Sequence, residues 1–189
     1  KETRDIEEHV RAAVTKMSYF QMPNGAFGYW PGDQNAHEWT SVYAGWFLLE
    51  AKRSGYYVPE AMLNAWKENQ KMLANSWTTG TLQNQLTQAF RLFTLAEARE
   101  PDLGAMNRLR ERTDLGQLPG MLLAAAYHLS GQPEAAAELV KKVRLEFDKY
   151  RDSAVTFGSE LRDKALAAHG LCLMDMRDKA KPLIQEIGE

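Results

Sequence analysis

Apolar residues recur along this chain at the spacing of one face of an α-helix, and no segment shows the alternation of a half-buried β-strand. The first stripe contains Ile6, Val10 and Val14 and ends before Pro23. Comparable stripes predict helices over residues 38–53, from Pro59 onward, and over 82–96, 106–112, 134–147, 161–174 and 179–187. Together they predict an all-α fold of about nine helices.

Four of the predicted helices are apolar around most of their circumference, or nearly so, which indicates that they are covered on several sides. They begin near residues 38, 81, 118 and 160, and each is followed by a more polar helix. A repeat of about 40 residues with this alternation is typical of paired helical hairpins. The hairpins form either an open solenoid or a closed ring.

An aromatic loop, residues 21–39 (QMPNGAFGYWPGDQNAHEW), separates the first two predicted helices. Loops of this length are unexpected in an open array with short turns, and they are usually functional or packed by their own side chains. In a closed α/α toroid, Phe27, Tyr29 and Trp30 would fold over the ends of the inner helices and bury their rings. The loop therefore favours the closed ring. The residues predicted to form this structural loop are Gly25, Phe27, Gly28, Tyr29, Trp30, Pro31 and Trp39.

Composition fits one globular domain over residues 1–189, because 44% of the residues are apolar and 25% are charged. The net charge is −2 with acids and bases interleaved, so we expect no binding of nucleic acid. We also expect no direct membrane insertion, because no apolar run approaches the roughly 18 residues of a spanning helix. The opening sequence KETRDIEE has no signal-peptide pattern, and its first lysine suggests that the chain was cut from a longer protein. No motif predicts a cofactor.

Residues 24–59, NGAFGYWPGDQNAHEWTSVYAGWFLLEAKRSGYYVP, resemble a segment of the bacterial α-macroglobulins. That segment reads G-x-F-x-Y-W-P-G, then W-x-T/S-x-Y and an apolar helix ending in L-L-E-A. LGAMNRLRERTDL (103–115) and FGSELRDKALAAHGL (157–171) are similar to later segments of the same domain. The resemblance extends from about Ile6 to Ile187.

This resemblance implies the complement-like, or thioester-type, α/α toroid domain of a broad-spectrum endopeptidase inhibitor that traps proteases. The chain would be the C-terminal part of that domain and an incomplete toroid, because about nine helices are fewer than a complete one contains. Its implied role is structural and non-catalytic. The implied partners are neighbouring domains of the parent protein and, through the parent, target proteases. The implied location is the periplasm or a membrane-anchored extracytoplasmic site.

The family's thioester joins a cysteine to a glutamine three residues later, in the motif G-C-x-E-Q. In this chain Cys172 is followed at that position by Asp175, so these residues form no thioester. The resemblance leaves two explanations. Either this part of the domain omits the motif, or the parent belongs to the bacterial members that lack it.

Two further arrangements have a chemical interpretation. Cys172 lies one turn after His169, as in a cysteine–histidine nucleophile pair, but a small thiol on an apolar stripe favours a buried structural role. His37 and Glu38 begin a sequence like the zinc motif H-E-x-x-H, but HEWTS lacks the second histidine. We therefore predict no catalytic residue and no metal site.

Two alternative functions remain open. One is a helical-repeat module that binds a protein in an open groove. The other is an α/α toroid enzyme, because Asp33 and Glu38 beside the loop's aromatic rings are similar to a carbohydrate site with two acids. AVTKMSYFQMPNGAF also resembles a terpene-cyclase repeat, but such a cyclase needs an aspartate-rich motif, and the nearest pair here is Asp175 and Asp178.

Overall fold

The computed structural model describes residues 2–78, 82–147, 149–150 and 156–188. These residues form nine α-helices: α1 (Glu2–Phe20), α2 (Glu38–Arg53), α3 (Glu60–Ser76), α4 (Leu82–Glu97), α5 (Leu103–Arg110), α6 (Gln117–Leu129), α7 (Pro133–Lys142), α8 (Glu160–Leu173) and α9 (Arg177–Ile187). Gln21 and Phe27 form an isolated antiparallel bridge. The predicted all-α class is confirmed.

Several helices begin at capping residues that the sequence contains. Asp102 caps α5 by accepting a hydrogen bond from the backbone N–H of Ala105, and Ser159 caps α8 by accepting one from Arg162. Pro133 occupies the first turn of α7, where its missing N–H leaves no helical hydrogen bond unmade. The start of α8 lies one residue from its prediction, whereas α5 begins at Leu103, three residues before the predicted 106, because Asp102 caps it there.

Helix α7 ends earlier than its apolar pattern predicted. The predicted helix continued through residue 147, but Val143 has φ −87° and ψ 127°, which is extended backbone. From there residues 143, 145 and 147 are partly buried while 144 and 146 are exposed. The stretch VRLEF (143–147) therefore follows the two-residue period of an extended chain. In the sequence its apolar residues were interpreted as a continuation of the helical stripe.

The chain divides into two compact units, Lys1–Leu73 and Ala74–Glu189. The core of the first unit is formed by Val14, Phe27, Ala44, Leu48, Ala51, Val58, Met62, Leu63 and Trp66. Val10, Met17 and Phe20 of α1 pack against it, whereas Ile6 at the start of the same stripe is 60% exposed. The C-terminal half of α1 is therefore the part that contributes to this core.

Helices α2 and α3 approach closely because α2 has a glycine at the point where Trp66 of α3 contacts it. A Cβ atom built on Gly45 would lie 1.9 Å from Cε2 of Trp66, well inside the contact distance of two carbon atoms. Trp66 is fully buried. The large ring therefore occupies the space that any other residue at position 45 would need.

Helix α6 is the centre of the second unit and contacts α4, α5, α7 and α8. Every residue from Leu118 to Tyr127 is buried. Residues 85–96 of α4 are also buried, and α8 packs on α9. The sequence correctly identified α4 and α6 as helices covered on several sides.

Helix α4 carries polar side chains into this buried environment. Arg91 donates a hydrogen bond from Nη1 to Oε1 of Gln88 at 2.6 Å, and Nε2 of Gln88 donates to the carbonyl of Ala74 at 3.1 Å. The hydroxyl of Thr94 donates to the carbonyl of Arg91 at 3.0 Å. Because buried polar groups are stable only when they are hydrogen-bonded, this network fixes how α4 is oriented in its unit.

The contact between Gly45 and Trp66 predicts the effect of one added methyl group. Gly45→Ala should lower the free energy of unfolding by an amount near the upper end of the roughly 1–3 kcal/mol typical of overpacking, because the buried ring has no free space to enter. Urea unfolding followed by tryptophan fluorescence measures this change. Gly104→Ala in α5 is the matched control, because its Cβ would lie no closer than 3.4 Å to a neighbouring side chain. An unchanged midpoint for Gly45→Ala would contradict the described packing.

Candidate functional site

The first half of the aromatic loop is a tight hairpin. The backbone N–H of Gly25 donates to the carbonyl of Met22 at 2.9 Å, and that of Met22 donates to the carbonyl of Ala26 at 2.8 Å. Asn24 accepts a hydrogen bond from the N–H of Ala26 through its side-chain oxygen at 3.1 Å. The sequence Met-Pro-Asn-Gly supplies this turn, since proline fixes one backbone angle and asparagine hydrogen-bonds to the nearby backbone.

The hairpin is held against α3 at Gly25 and Gln21. Gly25 has φ 86°, and a Cβ atom there would lie 2.0 Å from the carbonyl oxygen of Ala65, so glycine is required on both counts. Gln21 donates from Nε2 to the carbonyl of Met62 at 2.8 Å and to that of Gly25 at 3.2 Å. One glutamine thus joins the loop to the helix.

Ser41 is the polar centre of the first unit, although its side chain is almost completely buried. Its Oγ accepts hydrogen bonds from the backbone N–H of Phe27 at 3.1 Å and from Nε2 of Gln70 at 3.3 Å. Its carbonyl oxygen accepts one from the indole N–H of Trp66 at 2.9 Å. Ser41 therefore connects the loop, α2 and α3.

The predicted loop residues fall into a buried set and an exposed set. Phe27 and Trp39 are 1% and 4% exposed, and Gly25 and Gly28 are also buried. Trp30 is 74% exposed, Pro31 is exposed and Tyr29 is 37% exposed. The expectation that the rings of Phe27, Tyr29 and Trp30 all bury is therefore correct for Phe27 and wrong for Tyr29 and Trp30.

The second half of the loop is fixed by backbone hydrogen bonds, which explains why its rings need not bury. The N–H of Asp33 donates to the carbonyl of Trp30 at 3.1 Å. The carboxylate of Asp33 accepts hydrogen bonds from the N–H of Tyr29 and of Asn35, each at 3.2 Å. The ring of Tyr29 contacts that of His37, with 4.9 Å between their centroids. This turn lies at the surface and leaves Trp30 in solvent.

The environment of Asp33 does not suit the general acid of the carbohydrate-site interpretation. Hydrogen bonds from backbone N–H groups, that of Asn35 first, outweigh desolvation and hold the pKa of Asp33 below its ordinary value. A general acid for glycoside cleavage needs a raised pKa instead. Both carboxylate oxygens of Asp33 already brace the loop. Glu38 lies in the first turn of α2, as predicted.

The expectation that Cys172 is a buried structural thiol is wrong, because the cysteine is exposed. The buried face of α8 contains Ala167, Gly170 and Leu171, and Cys172 follows them around the helix toward solvent. His169 instead lies edge-on to Phe93, with 5.9 Å between ring centroids, and its Nε2 is 3.7 Å from Oε1 of Glu97. The histidine thus belongs to a contact with α4.

Two properties of the described residues bear on the chemistry of the chain. They contain no group of three or more His, Cys, Asp or Glu side chains arranged to hold a metal ion. None of their helices combines the length and hydropathy needed to cross a bilayer.

Sequence reading missed Ser41, Gln21 and Gln70, the polar residues that order the loop. Ser41 and Gln70 lie in helices, where a small or polar residue is common and does not by itself indicate a role. A usable signal was present, because both interrupt otherwise apolar faces, and a polar residue on such a face needs a specific partner.

The two sets of loop residues predict opposite effects of mutation. Phe27→Ala should lower the free energy of unfolding by about 3–5 kcal/mol, because it empties a core position. Trp30→Ala should change the free energy of unfolding by less than about 0.5 kcal/mol, because the exposed ring contributes little to the core. Chemical denaturation of both variants measures the difference. Equal destabilisation by the two substitutions would contradict this division of the loop.

Comparison with known proteins gives one consistent result. No protein-family model matches the chain. In sequence it is 25% identical over 180 residues to an alpha-2-macroglobulin of Xylella fastidiosa, and the match covers 87% of this chain and 11% of that protein. The chain therefore spans about a tenth of the length of this curated relative.

In structure the chain is similar to native alpha-2-macroglobulin from Escherichia coli, in a crystal structure spanning domain MG7 to the C-terminus. The TM-score is 0.81 at 22% identity, and the match covers 94% of this chain and 30% of that one. The trypsin-activated form of the Escherichia coli protein also gives a TM-score of 0.81, at 21% identity, over 96% of this chain and 13% of that one. At such identities the likeness shows the fold. The resemblance found in the sequence is thus confirmed: the chain is similar in sequence to one bacterial alpha-2-macroglobulin and has the fold of part of another.

Proposed function

We propose that this chain is a non-catalytic, all-α segment of a bacterial alpha-2-macroglobulin-like inhibitor that entraps endopeptidases. One observation carries the proposal: sequence comparison and structure comparison lead independently to the same family. Because the chain spans only 11% of the curated relative, the inhibitory activity would belong to the whole parent protein.

The proposed activity follows the behaviour expected of the family. A protease cuts a bait segment elsewhere in the parent, the parent rearranges, and the protease is enclosed. A relative of similar fold is described as trypsin-activated, which supports a response to proteolysis. The proposed location is the periplasm or a membrane-anchored extracytoplasmic site.

We assign this segment the role of a structural element against which other domains pack. It would form one domain, the C-terminal part of the complement-like toroid. The buried loop residues Gly25, Phe27, Gly28 and Trp39 would maintain its shape. Exposed aromatic side chains of the first unit are suited to contacts with neighbouring domains, and these are Tyr19, Trp30, Tyr43 and Tyr57.

Covalent attachment to a protease would not use this segment. The residue three positions after Cys172 is Asp175, which lies beyond the end of α8 and has a φ of 56°. An aspartate there supplies no glutamine carbonyl carbon for the sulfur. Any thioester of the parent would therefore be formed by residues outside this chain.

A size-selective inhibition assay tests the proposed function. When the full-length protein is incubated with trypsin, cleavage of a large protein substrate should fall strongly while cleavage of a small peptide substrate largely persists, because an entrapped protease excludes large molecules. The isolated 189-residue chain is the control and should change neither activity. Loss of both activities would indicate an active-site inhibitor, and loss of neither would contradict entrapment.

Methylamine provides a separate test of the thioester assignment. The amine opens a thioester and adds its own mass, so intact-mass measurement of the treated 189-residue chain should show no increase. An adduct on any residue of this chain would contradict the assignment. If the treated full-length protein gains mass, peptide mapping should locate the adduct outside these residues.

A further inference from the structure

The second unit contains a pocket of about 380 Å³ where the ends of three helices meet. One side of the pocket is lined by the end of α5 and the residues just after it. The second side is lined by the first turn of α6, and the third side by the end of α7 and the residues that follow it. Its rim is cationic, and the four basic residues that line it are Arg110, Arg112, Lys142 and Arg144. These residues come from separate helix ends, so no single stretch of sequence reveals the cluster.

In the part of the chain that the structure describes, one of these four cations has a carboxylate partner. Arg112 forms a two-bond ion pair with Asp114, at 2.8 Å from Nε and 2.7 Å from Nη2, and these bonds hold the pKa of Asp114 below its ordinary value. Among the described residues, by contrast, no carboxylate forms an ion pair with Arg110, Lys142 or Arg144. Three cations of the pocket therefore have no counter-ion among the described residues.

The position of Arg110 is nevertheless defined. Its guanidinium lies over the ring of Tyr127, 5.3 Å from the centroid, in a cation–π contact. The ring is itself fixed, because the hydroxyl of Tyr127 donates a hydrogen bond to Asn107 at 2.6 Å. A cation held in place by a ring still has its hydrogen-bond donors available for an anion.

The wall of the pocket is apolar below this rim. Leu139 is buried, and Leu115 and Val143 are partly buried. Leu115 and Val143 approach Gly120, where a Cβ atom would lie 3.0 Å from Cγ2 of Val143 and 3.8 Å from Cδ2 of Leu115. The absence of a side chain at position 120 thus lets these two side chains pack close to α6, and together with Leu139 they give the pocket an aliphatic wall.

We propose that this pocket binds an acidic peptide segment in which a glutamate or aspartate adjoins an aliphatic residue. The carboxylate pairs with Arg110, Lys142 and Arg144, and the aliphatic side chain occupies the apolar wall. Charge complementarity selects an anionic occupant, and the wall selects one that carries an apolar group. The chain's 11% share of its curated relative leaves ample polypeptide outside it to provide such a segment.

Nucleic acid fits the site less well. The described residues that line the pocket include no aromatic side chain on which a base could stack. The volume holds a few side chains, and the chain has a net charge of −2 with no extended basic face to follow a phosphate backbone. The binding chemistry rests on the pocket, and only the source of the peptide segment rests on the proposed function.

A titration with a defined peptide tests the proposal. The probe is a fluorescent, terminally blocked peptide of alternating Leu and Glu, followed by anisotropy with the 189-residue chain. Binding should saturate and weaken as salt is added. The double variant Arg110→Glu with Lys142→Glu should lose about tenfold or more in affinity, because both substitutions place a like charge against the ligand. Arg144→Gln, a milder change, should lose less in the same direction.

The matched control is Lys179→Glu with Lys181→Glu, which makes the same charge change on exposed residues of α9 outside the pocket. It should bind within about twofold of the unmodified chain, since charges on that helix are not against the ligand. Circular dichroism checks that each variant keeps its helical content, and Arg144→Gln carries the test if the double reversal unfolds.

Four results would overturn the proposal. The first is the absence of saturable binding by the unmodified chain at millimolar peptide. Equal losses in the pocket and control variants would indicate a general charge effect. If a Leu–Gln peptide binds equally well, the carboxylate plays no part in binding. If inorganic phosphate competes as effectively as unlabelled peptide, the pocket binds anions in general and does not recognise a peptide.

Discussion

The organisation of the first unit depends on the close approach of α2 and α3 at Gly45 and Trp66. With no side chain at Gly45, the indole packs against the α2 backbone and reaches the carbonyl of Ser41 with its N–H. Ser41 is then placed so that its hydroxyl accepts the N–H of Phe27 and fixes the buried half of the loop. A single close contact between helices thereby determines where the loop lies, because a buried backbone N–H must find an acceptor.

This arrangement accounts for the aromatic loop without assigning it chemistry. Its buried residues complete a core, its acid braces a turn through backbone hydrogen bonds, and its most prominent ring, Trp30, remains in solvent. In the second unit the same principle operates through α6, which is buried along most of its length and surrounded by four other helices. Each unit has a packed core, and the surface features on which the proposals rest are exposed aromatic rings in the first unit and a cationic pocket in the second.

Periodicity was enough to predict that the helices exist, because an apolar stripe acts locally. The exact starts of α5, α7 and α8 are set by Asp102, Pro133 and Ser159. The predictions that were wrong concern features that depend on tertiary neighbours. Residues 143–147 carry a pattern that fits a helix or an extended segment, and only the surrounding structure decides between them. The exposure of Trp30 and Cys172 likewise reflects which face meets a neighbour, and the pocket joins cations from separate helix ends, which spacing along the chain does not reveal.

We propose that this segment serves a larger protein that encloses proteases. The most direct measurement is the native mass of the full-length protein before and after incubation with active trypsin, with trypsin blocked at its active site as the control. The account predicts that the cleaved protein and active trypsin remain together as one species, while blocked trypsin separates. If the cleaved protein and active trypsin also separate, the account is contradicted.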